Sequence, residues 1–279
     1  MTKITAWFMS IILAIGGAVM GIVPFGNPMS KFLVTKNAEI YIEENYQDKD
    51  YYIDAVQFDF KTGNYYVLVE SESSRDSKFT LYAGTNGKIR HDTYESAVLH
   101  KWNTAGRIND AYRKSVDEVL ESESFPYNHH IAFGDIEFSE GDIPEDGSVP
   151  DYAVSTDALI LDKDYDIGEF GRKAGKLTVY IYDEEVSVRR LAEILLGIRK
   201  IMDEAGVGFY AIDCVLEYPK PEDDGPWREG RAEVMDFLYS DIYEEGLTER
   251  VDEANKKAEE YYKEQDAIKD KEYAAENAA

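Results

Sequence analysis

Asp162, Asp164 and Asp166 stand at alternate positions just ahead of Gly168. Carboxylates so spaced in a turning loop can converge on one hard cation, which takes about six to eight oxygen ligands. A helix-loop-helix calcium site needs glycine and glutamate where this chain has Ile167 and Lys173, so the run reads either as an ion loop or as an acidic, solvated one. His129 and His130 lie near Asp135 and Glu137, but adjacent residues on a strand point to opposite faces and cannot both reach one ion. They read as a surface pair. Cys214 sits in the strand-like AIDCVLEY, where a small buried thiol is the ordinary use and a nucleophile the rarer one. As the only cysteine it excludes an intrachain disulfide and a thiol-rich metal cage. With 56 acids, some carboxylate pair falls at any spacing that glycoside hydrolysis needs, so their abundance carries no information. No G-x-S-x-G, H-E-x-x-H, Walker loop or G-x-G-x-x-G occurs. The sequence therefore assigns no catalytic, cofactor-binding or metal residue.

The 21 tyrosines are a different signal. Tyr51-Tyr52, Tyr65-Tyr66 and the Tyr180/Tyr182 pair fall in or beside strands, where alternation puts some rings on an outer face. Exposed tyrosine anchors a partner or glycan through a flat apolar body and a polar tip, and strand propensity alone also accounts for such residues. The formal net charge is −26, and the part after Glu140 is the more acidic. Such a field disfavours nucleic acid and attracts cations or basic partners.

Positioning these residues requires elements, and the periodicity names them. From Ser30, a helix cap, a helical pattern runs to about Tyr46. Val56, Phe58 and Phe60, a turn at Lys61-Thr62-Gly63-Asn64, and then Tyr65, Val67 and Val69 make a hairpin, which Phe79 and Leu81 extend. One long helix is expected from Asp92 to Ser122, with Val98, Trp102, Ala105, Ile108, Tyr112, Val116 and Val119 as its stripe. Ile131 to Phe138 reads as a strand. GDIPEDGSVPD reads as a loop, Tyr152 to Leu161 as the resumption of ordered chain, and the residues after it as an acidic loop. Then come strand 176–182, helix 187–205 and strand 209–218, a β-α-β unit. Strand 234–238 and a charged helix from Thr248 to about Lys271 close the chain.

Ala6 to Phe25 is a run of 20 residues without an ionisable side chain, with Lys3 before it and Lys31 and Lys36 after it. At about 1.5 Å per residue, such a helix crosses the roughly 30 Å hydrocarbon layer. A cleaved signal peptide has a shorter apolar core and an A-x-A-like site, which this stretch lacks, so it reads as an uncleaved anchor. Gly17 and Gly21 place a G-x-x-x-G match on it, the spacing of a close helix pair and also of ordinary membrane glycines. Lysines balance across the run. The soluble part is placed outside the cell by likeness to signal anchors, with a cytoplasmic location as the alternative.

The expected fold is α+β: a transmembrane anchor over 1–29, a first domain over 30–140, a linker or loop over 141–151 and a second, more acidic domain over 152–279. Both domains are expected to be antiparallel sheets covered by helices. The segments GNPMSKFL, FKTGNYYVLVESESSRDSKFTLY, KWNTAGRINDAYRKSVDEVLES, KLTVYIYDEEVSVRRLAEILLGIRKIMDEAG and FLYSDIYEEGL resemble the YfjL-like family of membrane-anchored bacterial proteins. That resemblance implies the anchor and the two-domain layout, and supplies no catalytic residues. The function expected is a single-pass, membrane-anchored binding protein of the bacterial cell envelope. Its partners would be the membrane through residues 6–25 and a basic protein or envelope component, with no nucleic acid and no cofactor. The alternatives are a cation-assisted hydrolase of envelope polymers and a calcium-responsive sensor.

Overall fold

The computed structural model describes residues 26–47, 49–145, 147–221 and 228–276. Among the described residues no helix is long and apolar enough to cross a membrane; the anchor read over Ala6–Phe25 lies outside them. The chain forms two compact units, Met1–Ala105 with Thr156–Lys163, and Gly106–Ser155 with Asp164–Ala279.

The first unit opens with α1, Pro28–Asn45. Its cap is Asn27 rather than Ser30: the Asn27 side chain accepts from the Met29 N–H at 2.9 Å. Pro28 takes the first helical position, where its missing N–H leaves nothing unpaired. Strands β1 (Tyr51–Asp59), β2 (Asn64–Ser71), β3 (Lys78–Ala83) and β4 (Ile89–Asp92) form an antiparallel sheet in that order. In the first turn Asp59 accepts from the Lys61 N–H at 2.8 Å and the Thr62 hydroxyl at 2.9 Å, which holds the chain in the reversal the sequence announced. Val34, Ala38 and Ile42 of α1 and Tyr65, Val67, Val69, Phe79, Leu81 and Ala83 of the sheet build the core. Burying one such aliphatic side chain contributes roughly 1.5–3 kcal/mol.

The single helix expected over 92–122 is broken. Residues to Asp92 pair as β4, Glu95–Leu99 form one π-helical turn, and Lys101 turns through a φ of 59° before α2 begins at Trp102. Side chains hold the break. Asn103 donates to the backbone carbonyls of Asp76 and Lys78, and the Lys101 ammonium donates to the Asp157 carbonyl at 2.8 Å. An unbroken apolar stripe says nothing of such long-range partners.

The second unit takes α2 (Trp102–Leu120) from Gly106 onward. Then follow β5 (His129–Ile136), the parallel two-residue pair β6 (Phe138–Ser139) and β7 (Val154–Ser155), α3 (Ile167–Ala174), β8 (Gly175–Tyr182), α4 (Val188–Glu204), β9 (Ala211–Glu217), β10 (Arg231–Leu238) and α5 (Leu247–Glu276). The sheet order is β10-β9-β8-β5, with β8 parallel to β9 through the α4 crossover, so this sheet is mixed rather than antiparallel throughout. Strand β5, read as closing the first domain, pairs with β8 in the second sheet. The division therefore falls at Ala105/Gly106 and not at 141–151. Helix α3 occupies part of the stretch read as an acidic loop; Asp166 caps it by accepting from the Glu169 N–H.

Local packing explains the close approach of α2 and β5. A Cβ on Gly134 would lie 2.6 Å from Val116 Cγ2, so only glycine lets the helix sit there. Helix α4 buries Leu191, Leu195, Ile198 and Met202 and packs on β9 and β10. Helix α5 covers the β10 edge: the buried Asn255 side chain accepts from the Glu233 N–H at 2.8 Å, which pairs a strand edge that would otherwise be free.

Candidate functional site

Strand β8 alternates strictly. Leu177, Val179 and Ile181 are buried, whereas Lys176, Thr178, Tyr180 and Tyr182 are half-buried. Register extends that second row across the sheet, because residues opposite one another share a face. Asp135, Phe133 and Ile131 of β5 stand opposite Lys176, Thr178 and Tyr180; Asp213 and Glu217 of β9 stand opposite Thr178 and Tyr182. The outer face of the second sheet thus has a charged end and an aromatic end.

At the charged end the Lys176 ammonium lies 3.0 Å from Asp213 and 2.7 Å from Asp236. The Tyr152 hydroxyl donates to the same Asp236 oxygen at 3.0 Å, and its ring lies 4.6 Å from that of Tyr210. The Asp236 N–H donates to Asp213 at 2.7 Å, where β10 bulges between Val234 and Phe237. This bulge holds Asp236 at a φ of 47°, a strained region that aspartate tolerates better than most residues. Burial pulls the Lys176 ammonium down, but the hydrogen bond it donates to Asp236 and the charge of Asp213 outweigh it, so its pKa is raised and it stays protonated. Burial pushes Glu137 up; Lys176 opposes this, and Asp236, Asp135 and Asp213 add to it. Tyr152 is raised by burial and then by Asp236. A lysine held charged by two carboxylates is neither base nor nucleophile; this end presents oriented charge.

At the aromatic end His130 stacks on Tyr182, with centroids 4.2 Å apart and planes 14° from parallel, and meets Tyr180 edge-on. Its Nε2 lies 3.4 Å from a Glu217 oxygen. Arg231 pairs with Glu233 at 2.5 Å and lies over the Tyr262 ring. Beside this face runs an open groove of about 680 Å³, lined by Met235, Asp236 and Phe237 of β10 and by Ala254, Ala258 and Tyr261 of α5. Asp236 belongs to both face and groove.

The residues singled out by spacing are mostly engaged elsewhere. Asp162, at a φ of 62°, accepts from the Asp76 N–H at 3.1 Å, while Asp76 accepts from the Asp162 N–H and the Thr104 hydroxyl, both at 2.9 Å. Asp162 belongs to the first unit, and Asp164 and Asp166 belong to the second, where Asp166 caps α3. Among the described residues no group of three or more His, Cys, Asp or Glu is placed to hold a metal ion. His129 engages the Leu120 carbonyl through Nε2 at 3.0 Å, away from His130. Cys214 is fully buried, and burial pushes its thiol up to about 12.

Of the tyrosines, Tyr65 is fully buried, and Tyr51 packs against Tyr46, Phe79 and Tyr94. Tyr52 donates to Glu70, and Tyr66 donates to Asp59. Tyr180 and Tyr182 reach the candidate face. Lys176, Asp213, Asp236 and Tyr152 went unmarked in the sequence; the β-α-β pattern could have put Lys176 and Asp213 on adjacent strands, but nothing local announces the bulge at Asp236.

A family model described as the YfjL-like N-terminal domain matches residues 1–93, and one described as the YfjL-like C-terminal domain matches residues 111–252. No curated protein matches the chain. A crystal structure of a DUF5037 family protein from Ruminococcus gnavus ATCC 29149 is similar at 13% identity, over 66% of this chain and 74% of that one, with a TM-score of 0.20. A superposition that weak bears on neither fold nor function.

Proposed function

The chain belongs to the YfjL-like family, matched over residues 1–93 and 111–252, and on that premise we propose that it is a membrane-anchored binding protein of the bacterial cell envelope. Residues 6–25 are its single-pass anchor, the soluble part is extracytoplasmic, and the outer face of the second sheet is the surface that takes a basic protein or envelope component. One observation carries the reading: Tyr180, Tyr182, Ile131 and Phe133 remain partly solvent-accessible on a face shared with carboxylates. Tyrosines supply rigid apolar contact area with a polar tip. Asp135, Glu137, Asp213, Glu217, Glu233 and Asp236 outnumber Lys176, Arg113 and Arg231, which favours a cationic partner.

The test is photo-cross-linking from Tyr182 replaced by a benzophenone amino acid in the full-length chain, in intact cells. A discrete adduct with a basic protein or an envelope polymer is expected, weakened by raised salt and lost when Tyr180→Ala and Asp213→Asn are added. Absence of any adduct from Tyr182, while the same probe at Glu249 also gives none, would leave the reading without a partner and overturn it.

A further inference from the structure

On the reading that residues 6–25 anchor the chain, we infer that α1 lies along the lipid-water interface and docks the first unit onto the bilayer through an outward apolar stripe. Val34, Ala38 and Ile42 bury one side of α1. On the opposite side Met29, Phe32, Leu33 and Ile40 are 66%, 62%, 38% and 43% exposed. Met29, Leu33, Lys36 and Ile40 follow at steps of four, three and four, the spacing of a single helix face. A helix on a water-facing domain surface keeps that face polar; this one carries four large apolar side chains there, interrupted by Lys36.

What covers the stripe follows from the sequence that leads into α1. Only Gly26 and Asn27 separate the apolar run Ala6–Phe25 from α1. That junction is tied to the first sheet. Gly26 is buried at a φ of 74°, a Cβ there would lie 2.9 Å from Phe58 Cβ, and the Tyr65 hydroxyl donates to the Asn27 carbonyl at 3.2 Å. An apolar run leaving from this point brings the hydrocarbon boundary to the start of α1, and Leu33 lies only about 9 Å further along the axis. Met29 to Ile40 spans about 17 Å, and a flat-lying interfacial helix meets lipid along that whole length while sinking about 5–10 Å into the boundary. Lys31 and Lys36 can extend their charged ends to headgroups while their stems stay apolar. Glu43 and Glu44 are exposed in the last turn, beyond Ile40, where the apolar stripe ends.

The experiment uses the full chain in phosphatidylcholine nanodiscs, with nitroxide labels on Leu33→Cys, Ile40→Cys, Ile15→Cys and Glu44→Cys, one at a time. Cys214 is buried, so the unsubstituted chain serves as the labelling blank. Collision rates with oxygen and with a nickel chelate report depth. Labels at positions 33 and 40 are expected to favour oxygen several-fold over the label at position 44. If the position-15 label is lipid-exposed but those at 33 and 40 are as open to nickel as that at 44, the interfacial helix is overturned and the anchor stands. If position 15 meets water while 33 and 40 meet lipid, the anchor fails and the docking surface stands. Labels at 33 and 40 shielded from both reagents, or broadened by a neighbouring label, would mean protein contact and overturn the lipid occupant.

Discussion

Asp236 joins the two halves of the candidate surface, and its backbone and side chain pull in opposite directions. The carboxylate accepts from Lys176 and Tyr152, while the φ of 47° costs what a side chain costs in the left-handed region. Because that side chain is 52% exposed, its ion pair is worth little once solvent screening is counted. Replacement therefore separates the terms. Asp236→Ala loses the side-chain contacts and keeps the strain, whereas Asp236→Gly loses the same contacts and relieves it. Urea unfolding should place the glycine variant about 1 kcal/mol above the alanine variant; equal midpoints would show that the bulge is unstrained. None of this is legible from DFLYSD read as a strand end, because the bulge exists only against Asp213 of β9.

Among the elements, the segment Thr156–Lys163 shows how a side chain can assign a stretch of chain to a unit. Asp76 is 1% exposed and accepts both the Thr104 hydroxyl and the Asp162 N–H. Asp76→Ala leaves those donors buried without this acceptor, a loss of about 3 kcal/mol by the usual cost of unmade buried hydrogen bonds. Limited proteolysis should then cut between residues 156 and 163 in the variant well before the parent chain is cut. Equal cleavage would mean that the segment is held by its apolar contacts, such as that of Leu161 with the first core. The elements themselves were largely readable: the β1–β2 hairpin, the β8-α4-β9 unit and the last helix follow period and turn chemistry. The break at Lys101 and helix α3 were not, since one depends on Asp76 and Asp157 far away and the other is a short helix in an acidic setting that looks like loop.

The two four-stranded sheets and a net charge of −26 are the whole-molecule features on which the proposed binding role rests. Its orientation decides which compartment sees that surface. A tag after Ala279 should be cleaved by protease added to intact cells if the soluble part is outside; protection of the tag until lysis would move the proposed binding surface to the cytoplasm. What the sequence by itself determined was local: hydrophobic period named most helices and strands, while the anchor proposed for Ala6–Phe25 lies outside the described residues. It also identified Cys214 as a buried thiol and set His129 and His130 on opposite sides of their strand. Tertiary structure alone decided that β5 joins the second sheet, that Lys176 meets Asp213 and Asp236, and that Asp162 and Asp166 serve different units. The physical reason is that periodicity records which side of an element is dry. Which elements share an interior depends on pairing and packing between segments far apart in the chain, and no local pattern encodes it.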